Sequence, residues 1–113
     1  MQSFQLTDLM ERMKPQHPPW LEFLRTSSLS MGVYHLNAGQ ADRQQPHTED
    51  EVYYVVSGRA SFRTGSEEVN VGPGSLIFVE RNVEHRFFNI IEDLTMLVFF
   101  APPEGSLSAS SQR

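Results

Sequence analysis

The chemistry available to this chain is concentrated in two histidines and a glutamate. Residues 45–51 read QPHTEDE and contain His47 and Glu51, and His85 opens a later run, HRFFNII. Imidazole nitrogen and carboxylate oxygen are donors for Zn, Fe, Mn, Ni or Cu. Two histidines with one carboxylate, leaving positions open, form the facial arrangement of non-haem iron enzymes. The chain has no cysteine, so any metal must be held by N and O atoms. Strand side chains alternate between faces, so Gln45, His47, Glu49 and Glu51, all of one parity, can converge, as can His85, Phe87 and Asn89. Glu51 leads into the apolar VYYVV, where an inward carboxylate needs a cation or a hydrogen-bond donor.

The elements that must position these residues are short strands. From Leu29 the sequence breaks into runs rich in Val, Ile, Phe and Tyr at 29–37, 51–57, 59–64, 67–71, 75–80, 85–91 and 94–101. Turn residues separate them, among them Gly39, Gly58, Gly65, Gly72, Gly74 and Asn82. Seven runs at this spacing predict an all-β sandwich or barrel rather than βαβ units. Upstream, Thr7 followed by DLMERMK and Pro15 predicts a helix of about two turns capped by Thr7. Trp20, Phe23 and Leu24 in WLEFL are expected on one helical or irregular face against the body of the domain. The division expected is an N-terminal helical or irregular extension (1–28), a barrel (29–101) and a flexible tail (102–113), poorly ordered from about Gly105.

Composition bounds the partners. A chain of 113 residues suits one core. The formal net charge is −5 and Lys14 is the only lysine, so there is no basic stripe for phosphates; nucleic acid and acidic membranes are disfavoured. The start MQSFQLTDLMERMK lacks the charged and apolar regions of a signal peptide, and no run approaches a membrane span. The expectation is a soluble, cytoplasmic protein.

The sequence resembles the cupin superfamily, in its small single-domain form, over about residues 29–101. The first cupin motif has the spacing of Gly39, Gln45, His47, Glu51 and Gly58, with Gln45 where the first histidine of the family stands. The second has the spacing of Gly74, Glu80, Asn82, His85 and Asn89, with Glu80 and Asn82 in place of the proline and second glycine. The resemblance implies a jelly-roll β-barrel with a divalent transition metal (Zn, Fe, Mn or Ni) inside its mouth, held by His47, Glu51 and His85. Gln45 would be either a fourth ligand through its amide oxygen or the trace of a lost one. It further implies a pocket for a small organic molecule and dioxygenase-like, isomerase-like or decarboxylase chemistry with Glu51 as catalytic base. A non-catalytic binding or sensing barrel is the alternative, and a storage barrel with a vestigial site a third. Homodimers are common in the family, and the segment with Trp20 and Phe23 could supply the interface.

Around that site, Tyr53 and Val55 share the parity of Glu51, and Phe87 that of His85, so all three are expected to line the pocket. His35 is a further candidate for the cavity, as acid or base. Glu49 and Asp50 are expected to be solvated turn residues, His17 to be exposed, and Phe62, Phe78, Phe99 and Phe100 to be core.

Overall fold

The computed structural model describes residues 1–13 and 19–107. His17 and residues 108–113 lie outside the described residues. A short helix, α1 (Leu6–Met13), precedes six strands: β1 (Trp20–Arg25), β2 (Ser30–Leu36), β3 (Asp50–Thr64), β4 (Glu67–Val71), β5 (Leu76–Val79) and β6 (His85–Ala101). All pairings are antiparallel, in the order β1-β2-β6-β3-β4, with β5 also on β3. The all-β class with a short N-terminal helix is the one expected.

Two pairs of expected strands are each one continuous strand. Runs 51–57 and 59–64 merge into β3, and 85–91 and 94–101 into β6. Both bend rather than stop, because a residue in the left-handed region interrupts the pleat without ending the ladder: Gly58 (φ 96°) in β3 and Asn89 (φ 49°) in β6. The register between the strands shifts across this bend, from Ser57↔Thr95 to Arg59↔Glu92 to Ser61↔Phe88. Inward parity flips with it: Glu51, Tyr53 and Val55 face in before the bend, Ala60 and Phe62 after it. On β6, His85 and Phe87 give way to Ile90, Leu94, Met96, Val98 and Phe100. Asn89, expected inward with His85 and Phe87, is therefore exposed, and Ile90 takes the buried place. β3 and β6 pair with each other along both halves; on its other edge β3 takes β5 before the bend and β4 after it, and β6 takes β2 after its own, which curls the sheet around one apolar interior.

The 20–25 segment is a strand, not a helical or irregular face. Its side chains alternate: Trp20 reaches inward to Tyr34 and Phe100 (ring centroids 6.4 and 5.9 Å), while Leu21 and Phe23 meet α1 on the outside. Gly32 makes the first contact possible, since a Cβ there would lie 2.2 Å from the Trp20 ring. Outside, Leu6, Leu9, Met10 and Met13 form the apolar stripe of α1 over Val33, Leu21, Phe23 and Leu97. The helix starts at Leu6, one residue ahead of the expected Thr7 cap. Phe62 and Phe100 are core as expected and Phe99 is partly buried, but Phe78 is 61% exposed because β5 turns that side outward.

The bend at Gly58 gives a stability test. A Cβ at Gly58 would sit 2.2 Å from the Asp93 carbonyl oxygen, whereas one at Gly65 (φ 51°) meets nothing within 4 Å. Gly65→Ala is expected to lose about 1 kcal/mol, the strain of left-handed backbone alone. Gly58→Ala is expected to lose about 3 kcal/mol or more, because backbone must also move. Equilibrium urea unfolding measures both, and equal losses would show that the close approach at Gly58 does not constrain the fold.

Candidate metal centre

His47 precedes β3, Glu51 is its second residue, and His85 is the first residue of β6. In the ladder His85 stands opposite Thr64, at the far end of β3 from Glu51. They meet because the sheet curls, so that the contact crosses the interior. His85 Nε2 lies 3.2 Å from Glu51 Oε1, and His47 Nε2 lies 3.9 Å from Glu51 Oε2. One donor atom from each residue falls within 4.8 Å of the others. A backbone bond ties the two loops together, the Asn82 amide donating to the His47 carbonyl at 2.6 Å. Asn82 holds φ 64°, a conformation asparagine tolerates where the family pattern has glycine.

The second shell orients these rings. His85 Nδ1 is 2.8 Å from the Val83 carbonyl, which can only accept, so Nδ1 carries a proton and Nε2 is the nitrogen turned to Glu51. Glu51 is 2% exposed; Oε1 has His85, while Oε2 is buried with no hydrogen-bond partner. An orphaned buried carboxylate oxygen flanked by two imidazoles is a donor set that fits a cation.

Gln44, not Gln45, brings its amide to this cluster. Gln45 is exposed, whereas Gln44 Oε1 accepts from the Tyr53 hydroxyl at 2.9 Å and lies 3.3 Å from His47 Nε2. The segment from Asp42 to Thr48 is loop, so the strand alternation that favoured Gln45 does not apply there. Asp42 sets the amide. It is 6% exposed, and its carboxylate accepts from the Gln44 side chain (2.9 Å), the Gln44 amide (3.3 Å), the Tyr34 hydroxyl (2.7 Å) and the Phe87 amide (2.9 Å). With the Gln44 NH2 group donated to Asp42, the oxygen must face the site. Nothing in the sequence distinguished Asp42 from the other loop carboxylates.

Other expected residues fall elsewhere. Tyr53 is fully buried with its hydroxyl 3.0 Å from His85 Nε2, so it touches the site. Val55 and Phe87 are packed in the core and do not line the cavity. His35 points to the opposite face from Tyr34, bonded to Thr95 and Asn37, and stands outside the site. Glu49 is not solvated but 1% exposed, taking backbone bonds from Gly105 and Leu107, while Asp50 holds Arg81 at the surface. Beside the cluster is a cavity of about 190 Å³ lined by Trp20, Tyr34, Gln44, His47, Glu51, Val98, Phe100 and Glu104. Apart from His47 and Glu51, none of these contributors belongs to either motif.

Burial holds the His47 pKa below its usual value, with the His85 charge adding to this and Glu51 opposing it, which favours the neutral, ligating form. At His85 burial also disfavours the cation, but the hydrogen bond to Glu51, that to Val83 and the charge of Glu51 outweigh it, and the pKa is raised. Burial and then the charge of Glu51 push the Tyr53 hydroxyl well up, so it remains a neutral donor.

Comparison with known proteins is consistent along the chain. The family model described as "Cupin domain" matches residues 32–100. An uncharacterized protein of Streptomyces coelicolor is 45% identical over 104 residues, 92% of this chain and 99% of that protein. Acireductone dioxygenase of Bacillus subtilis is 34% identical over 70 residues, which span 56% of this chain and only 39% of that enzyme. A crystal structure of a Thermus thermophilus protein superposes with a TM-score of 0.70 at 25% identity, covering 91% of this chain and 99% of that one.

Asp42 is the expected weak point of this architecture. Asp42→Ala strands the Tyr34 hydroxyl, the Phe87 amide and the Gln44 side chain, and is expected to cost about 3 kcal/mol. Asp42→Asn, which keeps one acceptor oxygen, should cost roughly half of that. Thermal and urea unfolding read the difference; a loss below about 0.5 kcal/mol for the alanine variant, the range of ordinary surface changes, would contradict it.

Proposed function

This chain belongs to the cupin family, and we propose that it is a metal-dependent member that binds one divalent transition ion through His47, Glu51 and His85 and acts on a small organic molecule. The observation that carries the reading is Glu51 Oε2, a buried oxygen without a donor between two imidazoles. Gln44 Oε1, held by Asp42, is the fourth donor in reach, in place of Gln45. Two imidazoles with carboxylate and amide oxygen suit Fe, Mn, Ni or Zn. When bound, such an ion supplies Lewis-acid or redox chemistry at its open positions.

The residues of the chain shape what reaches the site. Trp20, Val98 and Phe100 give the cavity apolar lining, and Gln44 and Glu104 give it polar groups. A cavity of about 190 Å³ admits a molecule of only a few heavy atoms, one end against the apolar lining and an oxygen toward His47 and Glu51. Glu51 would serve as base only with its Oε2 released from the ion. The similarity to acireductone dioxygenase over part of its length supports dioxygenase-like over isomerase-like chemistry.

The partner proposed is a second copy, but not through Trp20 and Phe23, which face the cavity and α1. On the outer face the ladders align Phe78, Val52, Phe99, Met31 and Leu24 in one row and Leu76, Tyr54, Leu97, Val33 and Leu21 in the next. The helix α1 packs on Leu21, Val33 and Leu97, while Phe78, Leu76 and Tyr54 remain 61%, 71% and 38% exposed.

Metal content, oxygen uptake and sedimentation test these readings. Elemental analysis and metal titration should give one ion per chain in the native protein and none in His47→Ala. Gln44→Ala should bind about tenfold more weakly and Gln45→Ala like the native protein. Native protein that stays metal-free after incubation with Fe, Mn, Ni and Zn would sink the metal reading; where the ion is bound, oxygen uptake with dicarbonyl or phenolic compounds separates enzyme from binder. Sedimentation should show a dimer that Phe78→Glu converts to monomer; a native monomer at high micromolar concentration would refute the pairing.

A further inference from the structure

Glu49, two residues before Glu51, uses its buried carboxylate to hold the end of the described chain. Oε1 accepts from the Gly105 amide at 2.7 Å, Oε2 from the Leu107 amide at 3.0 Å, and the Thr48 hydroxyl also donates to Oε2. The segment is fixed at two more points: the Glu104 amide donates to the fully buried Ser30 Oγ at 2.9 Å, and Arg25 donates to the Glu104 carbonyl at 2.8 Å. Four anchors on a stretch this short leave the Glu104 side chain little choice of direction. It points into the cavity, its Oε2 lying 3.4 Å from His47 Nδ1.

His47 needs such a partner. Its ring is stacked edge-on to Phe100 at 4.8 Å, which fixes the plane but not the proton. Nε2 has Gln44 Oε1 at 3.3 Å and Glu51 Oε2 at 3.9 Å, so acceptors stand at both nitrogens. A charged acceptor is the stronger one, and Glu104 is the carboxylate nearer the ring. We propose that Glu104 is the positioning residue of His47: it accepts a hydrogen bond from Nδ1–H and leaves the Nε2 lone pair facing Glu51 and His85, so that the segment through Leu107 is a working part of the site.

The inference rests on the metal reading only for its second readout, and its first is independent of metal. Nitrogen-15 spectra of the imidazoles in metal-free protein should show His47 protonated at Nδ1. Glu104→Ala should move that proton to Nε2, against Gln44, and truncation after Pro103 should do the same. Glu104→Gln, which keeps the reach but not the charge that outcompetes the Gln44 amide, should leave a mixture of the two tautomers. In titrations with Co(II), Glu104→Ala should bind about tenfold more weakly or worse, and Glu104→Gln within about threefold of native. Native protein with the proton at Nε2, or a Glu104→Ala variant with unchanged tautomer, overturns the proposal. Native protein that binds no Co(II) while the tautomer shifts as expected defeats the metal reading alone and leaves the positioning role supported.

Discussion

The rest of this structure is arranged around a carboxylate buried with one oxygen unsatisfied. Glu51 is 2% exposed in an interior of Tyr, Phe, Val, Leu and Met side chains, where an unpaired negative charge costs several kcal/mol. The His85 contact meets half of that demand at Oε1. The other half, at Oε2, is what gives the interior of the barrel a reason to hold a cation.

Two other carboxylates are buried nearby, and the contrast with them is instructive. Asp42 collects a hydroxyl, two backbone amides and a side-chain amide, and so stitches β2, β6 and the loop together. Glu49 collects two backbone amides and a hydroxyl and fastens the chain beyond β6. Each has donors on both oxygens and no demand left over. Glu51 is chemically the same group in a similar degree of burial, and its missing donors alone mark it as the one with a task. A carboxylate's role here follows from counting its donors rather than from its exposure.

The curled sheet is what makes this count possible. Glu51 and His85 sit at opposite ends of the β3–β6 ladder and would be far apart on a flat sheet. The left-handed backbone at Gly58 and Asn89 bends both strands at the same level and flips their inward parity. Phe62 and Phe87 then close against Tyr53 beneath the site, with centroids 4.6 to 5.8 Å apart. The apolar floor removes water, which strengthens every polar contact above it.

Much of this was legible in the residues themselves. Short apolar runs punctuated by glycine determined an all-β fold, because backbone period and turn position are local properties of the chain; that His47, Glu51 and His85 come together followed from the resemblance of two motifs to a family, not from the spacing itself. Sequence periodicity failed where the backbone left regular alternation: Gln45 was placed at the site by strand parity carried into a loop and by its position in the first motif, and Asn89 was placed inward across a bend that reverses faces. It also failed for Asp42, Glu49 and Glu104, whose roles depend on donors and partners many residues distant, on β2, β6 and the segment beyond it. Trp20 read as packing and proved to be a cavity wall, since only the pairing of β1 with β2 over Gly32 turns its ring inward. The sequence by itself determined which groups could do chemistry; tertiary structure alone decided which of them lack a partner, because satisfaction of a buried charge is a sum over neighbours that folding brings together.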